Sequence, residues 1–516
     1  MATPSMRRRW WGLGFMSLGI LVVAVDFTVL TVALPTISGS LHASTSQLQW
    51  VMDAYTLTGA ATMLPVGVLA DRYGRRKLLL AALLIFGGAS VWSAVCTSVG
   101  ELIAARTIQG VGAGILLPVP LAVTAALFDG ESRTKAIGVS TAAVAGGMPL
   151  GPIAGGLLLR YFSWHAVFWV NVPIVAISLV GCLFTLPETI NPAKPRLDLL
   201  GTVFSVGAIV TLVYGVINGP EHGWGNLTTV AWLAASVVLL AMFLVWERFV
   251  RQPLVDGNLF KQPRFAWGTA AAIVGTIGLS LVLFLAPLYL QSVDNDSSIS
   301  TGLRLIPIMA GMFLGGTIGP EADKRWGARV TVALGLLGLA AGLVVLALMA
   351  PTSPYWLAAI GFVVVGAGTG AALTVALDSA IASVGGGETG AGAAVTNTLR
   401  QVGSSLAYAA GGSILSAIYM SHLNPKLAGL PTAARNAARS SVTQADGVAQ
   451  SLGAAGSALR SAAHSAFTDG MSIALYGTAG LCVVVALLCL RFLPARATDT
   501  VVSVEEKPAA PASAPQ

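Results

Sequence analysis

Two carboxylates and one guanidinium lie inside otherwise apolar stretches of the chain, and these residue types are suited to binding and moving charge. Asp26, Asp53 and Arg106 each stand among aliphatic side chains. An ionisable group at the centre of a membrane helix costs roughly 2.5–3.5 kcal/mol, so each requires a partner or a function. An ion pair between Arg106 and one acid is the structural explanation, but one arginine cannot neutralise both. The remaining carboxylate is a candidate site for a proton or a cation.

Other residue types do not offer this chemistry. All five histidines fall at the ends of apolar stretches, and lysines lie outside them. If the protein moves protons, Asp26 and Asp53 are the candidate carriers, and we expect Asp26, which lies deeper, to be the more indispensable. The sequence contains no metal-ligand cluster, nucleophile elbow or phosphate-binding loop. We therefore expect no enzyme activity, no metal and no cofactor, and an ATP-driven pump is excluded.

The composition predicts that these residues are held by membrane helices. Hydrophobic residues make up 55% of the 516 residues, charged residues only 10%, and the mean hydropathy is +0.78. Soluble domains carry about 25% charged residues. Helices satisfy their own backbone hydrogen bonds in lipid, and the alternating pattern of a membrane barrel is absent. The predicted fold class is an all-α membrane protein.

The apolar stretches are long enough to cross a bilayer many times. A crossing needs about 20 apolar residues, and by this measure the sequence contains fourteen spans. They lie near residues 12–33, 48–70, 78–97, 102–127, 136–159, 164–186, 199–219, 228–247, 266–290, 300–320, 330–350, 354–380, 393–418 and 470–492.

Charge placement predicts the topology. Most of the 29 lysines and arginines fall in segments on the same side as the N-terminus. Because such residues collect in cytoplasmic segments, we expect both termini in the cytoplasm. The long segment 419–469, with weak helical amphipathicity over 448–467, then lies outside. Residues 496–516, rich in Pro and Ala, are predicted to be a disordered cytoplasmic tail.

An internal repeat divides the chain. The segment from Gly67 to Arg76 (GVLADRYGRR) is echoed by Gly319 to Arg329 (GPEADKRWGAR), eight predicted spans later. This offset fits two six-helix bundles, 1–190 and 263–495, with an inserted helix pair at 191–262. Two parallel repeats of this kind indicate a secondary transporter with its site between them near the membrane midplane.

Four segments in this order resemble the major facilitator superfamily, and within it the fourteen-span drug/proton antiporters of bacteria. They are DFTVLTVALP from Asp26, the Gly67–Arg76 segment, LIAARTIQG from Leu102 and GMPLGPIAGG from Gly147. The resemblance implies a bacterial inner-membrane antiporter, functional as a monomer, that uses protons to export lipophilic cations and binds no nucleic acid. The alternatives are an exporter of an endogenous lipid, siderophore or metabolite, a passive facilitator or importer, and a transporter-like sensor.

The resemblance also assigns roles to residues. Asp26 and Arg106 match the first-span acid and fourth-span arginine that the family uses for coupling and substrate binding, and the charge argument above adds Asp53 to this proton-coupling and cation-binding group. The residues of the second segment become a gate at the cytoplasmic rim, although their basic side chains also enforce topology; these are Gly67, Asp71, Arg72, Gly74, Arg75 and Arg76. The stripe in the fifth span marks exporters and also serves helix packing; it comprises Gly147, Gly151, Pro152, Gly155 and Gly156.

Two further sets of residues complete the expected site. Phe27, Trp50 and Tyr55 lie near the acids in sequence and are suited to stacking on a flat aromatic cation, although packing or a place in the interfacial aromatic belt explains each equally well. Asp378 and Arg400 lie at similar depth in the twelfth and thirteenth spans, and we expect them to form a structural or gating pair.

Overall fold

The computed structural model describes residues 5–188, 198–250, 257–383, 389–428 and 430–495, and within these residues it contains helices and no strand. The predicted all-α fold is therefore confirmed. Its α-helices are α1 Met6–Leu41, α2 Thr45–Tyr73, α3 Arg75–Val95, α4 Val99–Leu116, α5 Pro118–Leu127, α6 Gly130–Tyr161, α7 Ala166–Trp169, α8 Asn171–Thr185, α9 Leu199–His222, α10 Leu227–Glu247, α11 Pro263–Leu288, α12 Ser298–Arg304, α13 Ile306–Ala347, α14 Tyr355–Ala382, α15 Thr389–Leu423, α16 Thr432–Ser440, α17 Val442–Ser451 and α18 Ser457–Phe492.

Ten helical segments among the described residues are long and apolar enough to cross a membrane. One of them, which includes α13, holds two antiparallel helices that meet at Gly327, where a φ of 79° breaks the helix. Gly319 and Gly335, eight residues to either side, both lie against α14 near Ala371 and Ala372. Only glycine adopts such a φ without strain. The chain therefore reverses direction within α13.

The ten do not include three long helices that pack into the same bundle. These are α2, α6 and α15, of 29, 32 and 35 residues. The predicted span 102–127 is broken at Pro118 into α4 and α5, and 164–186 is broken into α7 and α8. The predicted span 470–492 lies within α18, which begins earlier, at Ser457.

The bundle has two ends, which we name from the chain segments that they carry. The terminal face holds the start of α1 and the end of α18, and Arg9 and Arg329 bond backbone carbonyls there. The loop face holds α16 and α17, which form a helical cap over the ends of α1 and α15. The predicted loop 419–469 is thus helical over most of its described residues.

The helices before α9 pack mainly on one another, and those from α11 onward do the same. We call these sets the N-terminal and C-terminal halves. They meet where α2 packs on α15 and where α6 packs on α12. α9 and α10 pack on each other, and α9 also contacts both α2 and α15. The pair therefore lies beside the seam between the halves.

The small-residue stripe of α6 lets backbones approach closely. A side chain on Gly147 would lie 2.7 Å from Cβ of Ala24 in α1, and one on Gly156 would lie 2.7 Å from the carbonyl oxygen of Ser298. Gly151 and Gly155 face α1 at Thr28 and Val29. The stripe thus packs α6 against α1 and, at its end, against α12 of the other half.

This packing gives a test of α6. Gly151→Ala would force a methyl group against Thr28 Oγ1 and within 2.8 Å of the backbone nitrogen of Val29. We expect it to destabilise the protein by about 1–3 kcal/mol, as overpacking does. Gly146→Ala is the matched control, because nothing lies within 4 Å of its added Cβ. Thermal unfolding of the purified variants in detergent measures the difference, and equal loss in both would contradict this packing.

Candidate functional site

A buried ion pair lies at the centre of the N-terminal half. Nη1 of Arg106, from α4, lies 2.6 Å from Oδ2 of Asp26, from α1, and both side chains are 0% exposed. An ion pair without contact to water is costly unless further hydrogen bonds satisfy its remaining atoms. Its neighbours must therefore be polar.

Polar side chains from three helices supply these bonds. Gln109, one turn after Arg106, accepts a hydrogen bond from the guanidinium at 2.8 Å and donates to Oδ1 of Asp26 at 2.9 Å. Asn171, at the start of α8, donates to the same oxygen at 2.7 Å. The hydroxyl of Ser90, from α3, lies 3.0 Å from Nε2 of Gln109. The Asp26 carboxylate is thus held by one cation and two amides.

Tyr55 closes this cluster on another side. The guanidinium carbon of Arg106 lies 4.0 Å from the centre of the Tyr55 ring, a cation–π contact. Phe27 packs against Tyr55 at a ring distance of 6.5 Å. Nε and Nη2 of Arg106 and the hydroxyl of Tyr55 are buried without a hydrogen-bond partner. These atoms leave unused donors beside the pair.

Asp53 lies apart from this cluster, at the contact between the halves. Ser405, from α15, donates its hydroxyl to Oδ1 of Asp53 at 2.6 Å, and Oδ2 is buried without a partner. Both residues are 0% exposed. One helical turn nearer the loop face, Gln49 donates to the carbonyls of Tyr408 and Ala409 at 2.8 and 2.9 Å. Asp53 is therefore a carboxylate whose one described hydrogen bond crosses between the halves.

The structure thus separates the three predicted residues into two groups. Asp26 and Arg106 form the ion pair, while Asp53 binds the opposite half. Of the predicted aromatics, Tyr55 and Phe27 lie at the pair, whereas Trp50 packs on Tyr214 of α9 at a ring distance of 5.7 Å. Trp50 is therefore part of the contact with the inserted helices.

The expected pair of Asp378 and Arg400 is not formed in this structure. Arg400 donates instead to the hydroxyl of Thr276 and to the side-chain oxygen of Asn397, both at 3.1 Å. Asp378 is exposed at the terminal end of α14, where its charge acts on Asp323. Similar predicted depth in the membrane therefore does not imply contact, because the two side chains point to different neighbours.

The predicted gating segment joins elements within the N-terminal half. Gly74, with a φ of 106°, ends α2 and starts α3. Arg75 donates to the carbonyl of Ala122 at 3.1 Å, and the backbone N–H of Arg76 donates to Glu188 at 3.2 Å. Arg72 is exposed beside Tyr73, and Gly67 has open space beside it. The side chain of Asp71 lies outside the described residues.

Hydrogen bonds described between the halves cluster toward the loop face. Besides those of Gln49 and Asp53, Gln291 donates to the carbonyl of Val32 at 2.8 Å. The cap also bridges the halves, since Gln444 donates to the carbonyl of Ser38 at 2.7 Å while Tyr419 donates to Ala438 at 2.9 Å. The loop face is therefore closed in this structure.

Four polar residues of the site were missed by sequence reasoning. Gln109 stood inside a segment that had been singled out, and Asn171 is a lone amide beside an apolar run, so both carried a signal. Ser90 and Ser405 carried none, because serine is common in membrane helices. Within the described residues, no three His, Cys, Asp or Glu side chains group as metal ligands would.

Comparison with known proteins points to one family. A family model described as the Major Facilitator Superfamily matches residues 16–408. The puromycin resistance protein of Streptomyces alboniger is 36% identical over 411 residues, which are 78% of this chain and 81% of that protein. A multidrug efflux pump of Mycolicibacterium smegmatis is 32% identical over 472 residues, 91% of this chain and 93% of that protein.

A solved structure shares the fold. A bacterial homologue of the human lysosomal transporter Spinster superposes with a TM-score of 0.69, covering 95% of this chain and 98% of that chain. The sequence identity is 18%, so the likeness concerns the fold alone.

The buried pair gives a test of the cluster. Asp26→Asn leaves Arg106 charged and without an anion, which costs about 3–5 kcal/mol in a buried setting. Replacing both residues, as Asp26→Asn with Arg106→Gln, removes both charges, so we expect the double variant to recover part of the lost stability. Thermal unfolding in detergent of the native protein, Asp26→Asn, Arg106→Gln and the double variant measures the coupling. Losses that simply add would contradict a tight pair.

Proposed function

Because the chain belongs to the Major Facilitator Superfamily and is a multi-pass membrane transporter, not an enzyme, we propose that it is a proton-coupled antiporter. In this proposal it exports lipophilic, mostly cationic drugs, dyes and antiseptics by alternating access. The observation that carries the proposal is Asp53, a fully buried carboxylate at the contact between the halves with one oxygen unpartnered. Exchange of a proton for a cargo cation would explain why a buried carboxylate lies at this contact.

Burial explains why a proton and a cation would compete there. An ionised carboxylate with a single neutral partner lacks most of the solvation that water gives it. Either a proton or a cargo cation relieves this deficit, and one occupant excludes the other. Asp26 is less suited to this exchange, because Arg106 and two amides already satisfy it. We therefore assign the exchange to Asp53, in place of the sequence expectation that favoured Asp26, and assign Asp26 to holding Arg106.

The relatives support drug export. One is named for puromycin resistance and the other for multidrug efflux, and the latter aligns over nearly the whole of both chains. Phe27, half-buried against Tyr55, offers an aromatic face, whereas the ring of Tyr55 is already covered by Arg106. Such a surface suits flat aromatic cargo. The stripe of α6 is the feature that favours export over import.

We further propose the arrangement in the membrane. The ten described spans, the reversal at Gly327 and the three long helices α2, α6 and α15 fit fourteen crossings. The two halves would correspond to 1–190 and 263–495, with α9 and α10 inserted and both termini in the cytoplasm of the bacterial inner membrane. The Gly67–Arg76 segment would gate the cytoplasmic side, and one monomer would suffice for transport.

The orientation can be tested by labelling. The four native cysteines are buried, so single cysteines report their own positions. We expect a membrane-impermeant maleimide to label Gln450→Cys, in the cap, in intact cells. Arg325→Cys, at the terminal face, should react only after permeabilisation. The reverse pattern would invert the proposed orientation.

The transport proposal is tested in proteoliposomes with an imposed pH gradient. We expect the native protein to drive ethidium against its gradient and Asp53→Asn to lose this drive, because a neutral side chain cannot exchange a proton for a cation. The dication methyl viologen should be affected at least as strongly. Cargo release with proton uptake measures the exchange. Full proton-driven transport by Asp53→Asn would overturn the mechanism, and absence of any export by the native protein would favour an endogenous cargo.

A further inference from the structure

We infer that Ser405 restricts the conformational change of the transporter to states in which Asp53 is neutralised. Its hydrogen bond holds the loop face closed while Asp53 is ionised and has bound neither a proton nor cargo. This inference rests on the proposed function. Ser405 belongs to the C-terminal half and Asp53 to the N-terminal half, so their 2.6 Å hydrogen bond must break when the loop face opens. Ser405 would thus be a positioning residue that acts on conformation through Asp53.

The strength of this bond depends on the charge of Asp53. A hydroxyl that donates to an ionised carboxylate makes a bond roughly twice as strong as one to a neutral acceptor. Since Ser405 is 0% exposed, water does not replace it as a donor. A proton or a cargo cation on Asp53 therefore weakens the bond. The loop face of the empty carrier is held closed, whereas the loop face of the loaded or protonated carrier is able to open.

Because the strength of the Ser405 bond depends on the charge of Asp53, the bond prevents the empty carrier from changing its orientation, as antiport requires. If an empty carrier could change its orientation, protons would cross without cargo. The Ser405 bond penalises that step alone, because only the empty carrier has an ionised, uncompensated Asp53. The neighbouring bonds of Gln49 to the carbonyls of Tyr408 and Ala409 involve no ionisable group, so their contribution to closing the loop face does not change with pH.

The charged surroundings of Asp53 are compatible with this role. Tyr408 faces it from α15, and Arg106 of α4 lies on the ring of Tyr55 and is paired with Asp26 of α1. From α9, Tyr214 contacts Trp50, and α3 carries its basic residues, 75–77, at the terminal face. Asp53 is therefore left with the hydroxyl of Ser405 as its described hydrogen-bond partner.

The chain offers a matched control one residue away. Ser404 is also buried, but its hydroxyl accepts a hydrogen bond at 3.0 Å from Ser280, which belongs to the same half. Ser404→Ala and Ser405→Ala remove the same atom from adjacent positions of α15. Only Ser405→Ala removes a bond between the halves.

The first measurement is proton leak without cargo. Proteoliposomes that contain a pH-sensitive dye receive a pH gradient in the absence of any drug. We expect Ser405→Ala to dissipate it about tenfold faster than the native protein, a factor that corresponds to about 1.4 kcal/mol. Ser404→Ala should leak at the native rate. Equal leak rates in the two variants would overturn the inference.

The second measurement is loop-face opening. Spin labels at Gly100→Cys and Thr352→Cys, on the loop face of the two halves, report their separation. We expect acidification to lengthen this distance in the native protein and in Ser404→Ala, but to have little effect in Ser405→Ala, which should be open at both pH values. Burial also raises the pKa of Asp294 and Asp296 on this face, and the Ser404→Ala control contains these groups unchanged.

A further variant guards against misfolding. If Ser405 acts through the charge of Asp53, adding Ser405→Ala to Asp53→Asn should change neither opening nor leak beyond Asp53→Asn alone. Additive effects would show a merely structural role and overturn the inference.

Ethidium–proton exchange by the native protein is measured in parallel. If that exchange is absent, the proposed function has failed; if it is present while Ser405→Ala behaves as Ser404→Ala, only the present inference has failed.

Discussion

The architecture of the N-terminal half depends on the ion pair of Asp26 and Arg106. Two opposite charges without contact to water are tolerable only if their other atoms are satisfied, and the chain meets this demand with Gln109, Asn171 and the ring of Tyr55. These groups come from α2, α4 and α8, so the polar centre fixes the order of the helices around α1. The glycines of α6 then bring a further helix against α1, because close contact requires no side chain there.

Neutralising one acid gives the other its role. With Asp26 paired, Asp53 is the carboxylate that the proposed mechanism leaves free to change its charge state, and it lies at the contact between the halves. The carboxylate that would bind the proton or the cargo is therefore also the group that links the two halves. In the proposed mechanism, an occupant of Asp53 needs to alter only a single hydrogen bond to influence the balance between two large arrangements, because two close-packed halves would move as units.

Much of the fold could be predicted from the sequence, because the membrane dictates the length of the hydrophobic segments and the repeated Gly, Asp and Gly residues mark corresponding turns in the two halves. The repeat anticipated the reversal at Gly327, and the rarity of charge inside apolar stretches singled out Asp26, Asp53 and Arg106. Contacts between distant segments were not readable. Asp53 and Ser405 are 352 positions apart in the sequence, so no local pattern links them. Asp378 and Arg400, matched by depth, face different neighbours. The cap was missed because short helices of Ala, Ser and Gly have the composition of a loop.

The position of α9 places a mechanical demand on each cycle. The ring of Trp50 in the N-terminal half packs on Tyr214, while Ser413 in the C-terminal half donates to the carbonyl of Val216 at 2.7 Å. If the halves rock apart, as the proposed alternating access requires, α9 can follow only one of them, and α10 must move with it. The lipids around this pair are then displaced once per turnover on one flank of the protein only. The stiffness of the surrounding bilayer would therefore affect the rate of the conformational change, because it resists the movement of two helices that lie outside the proposed cargo path.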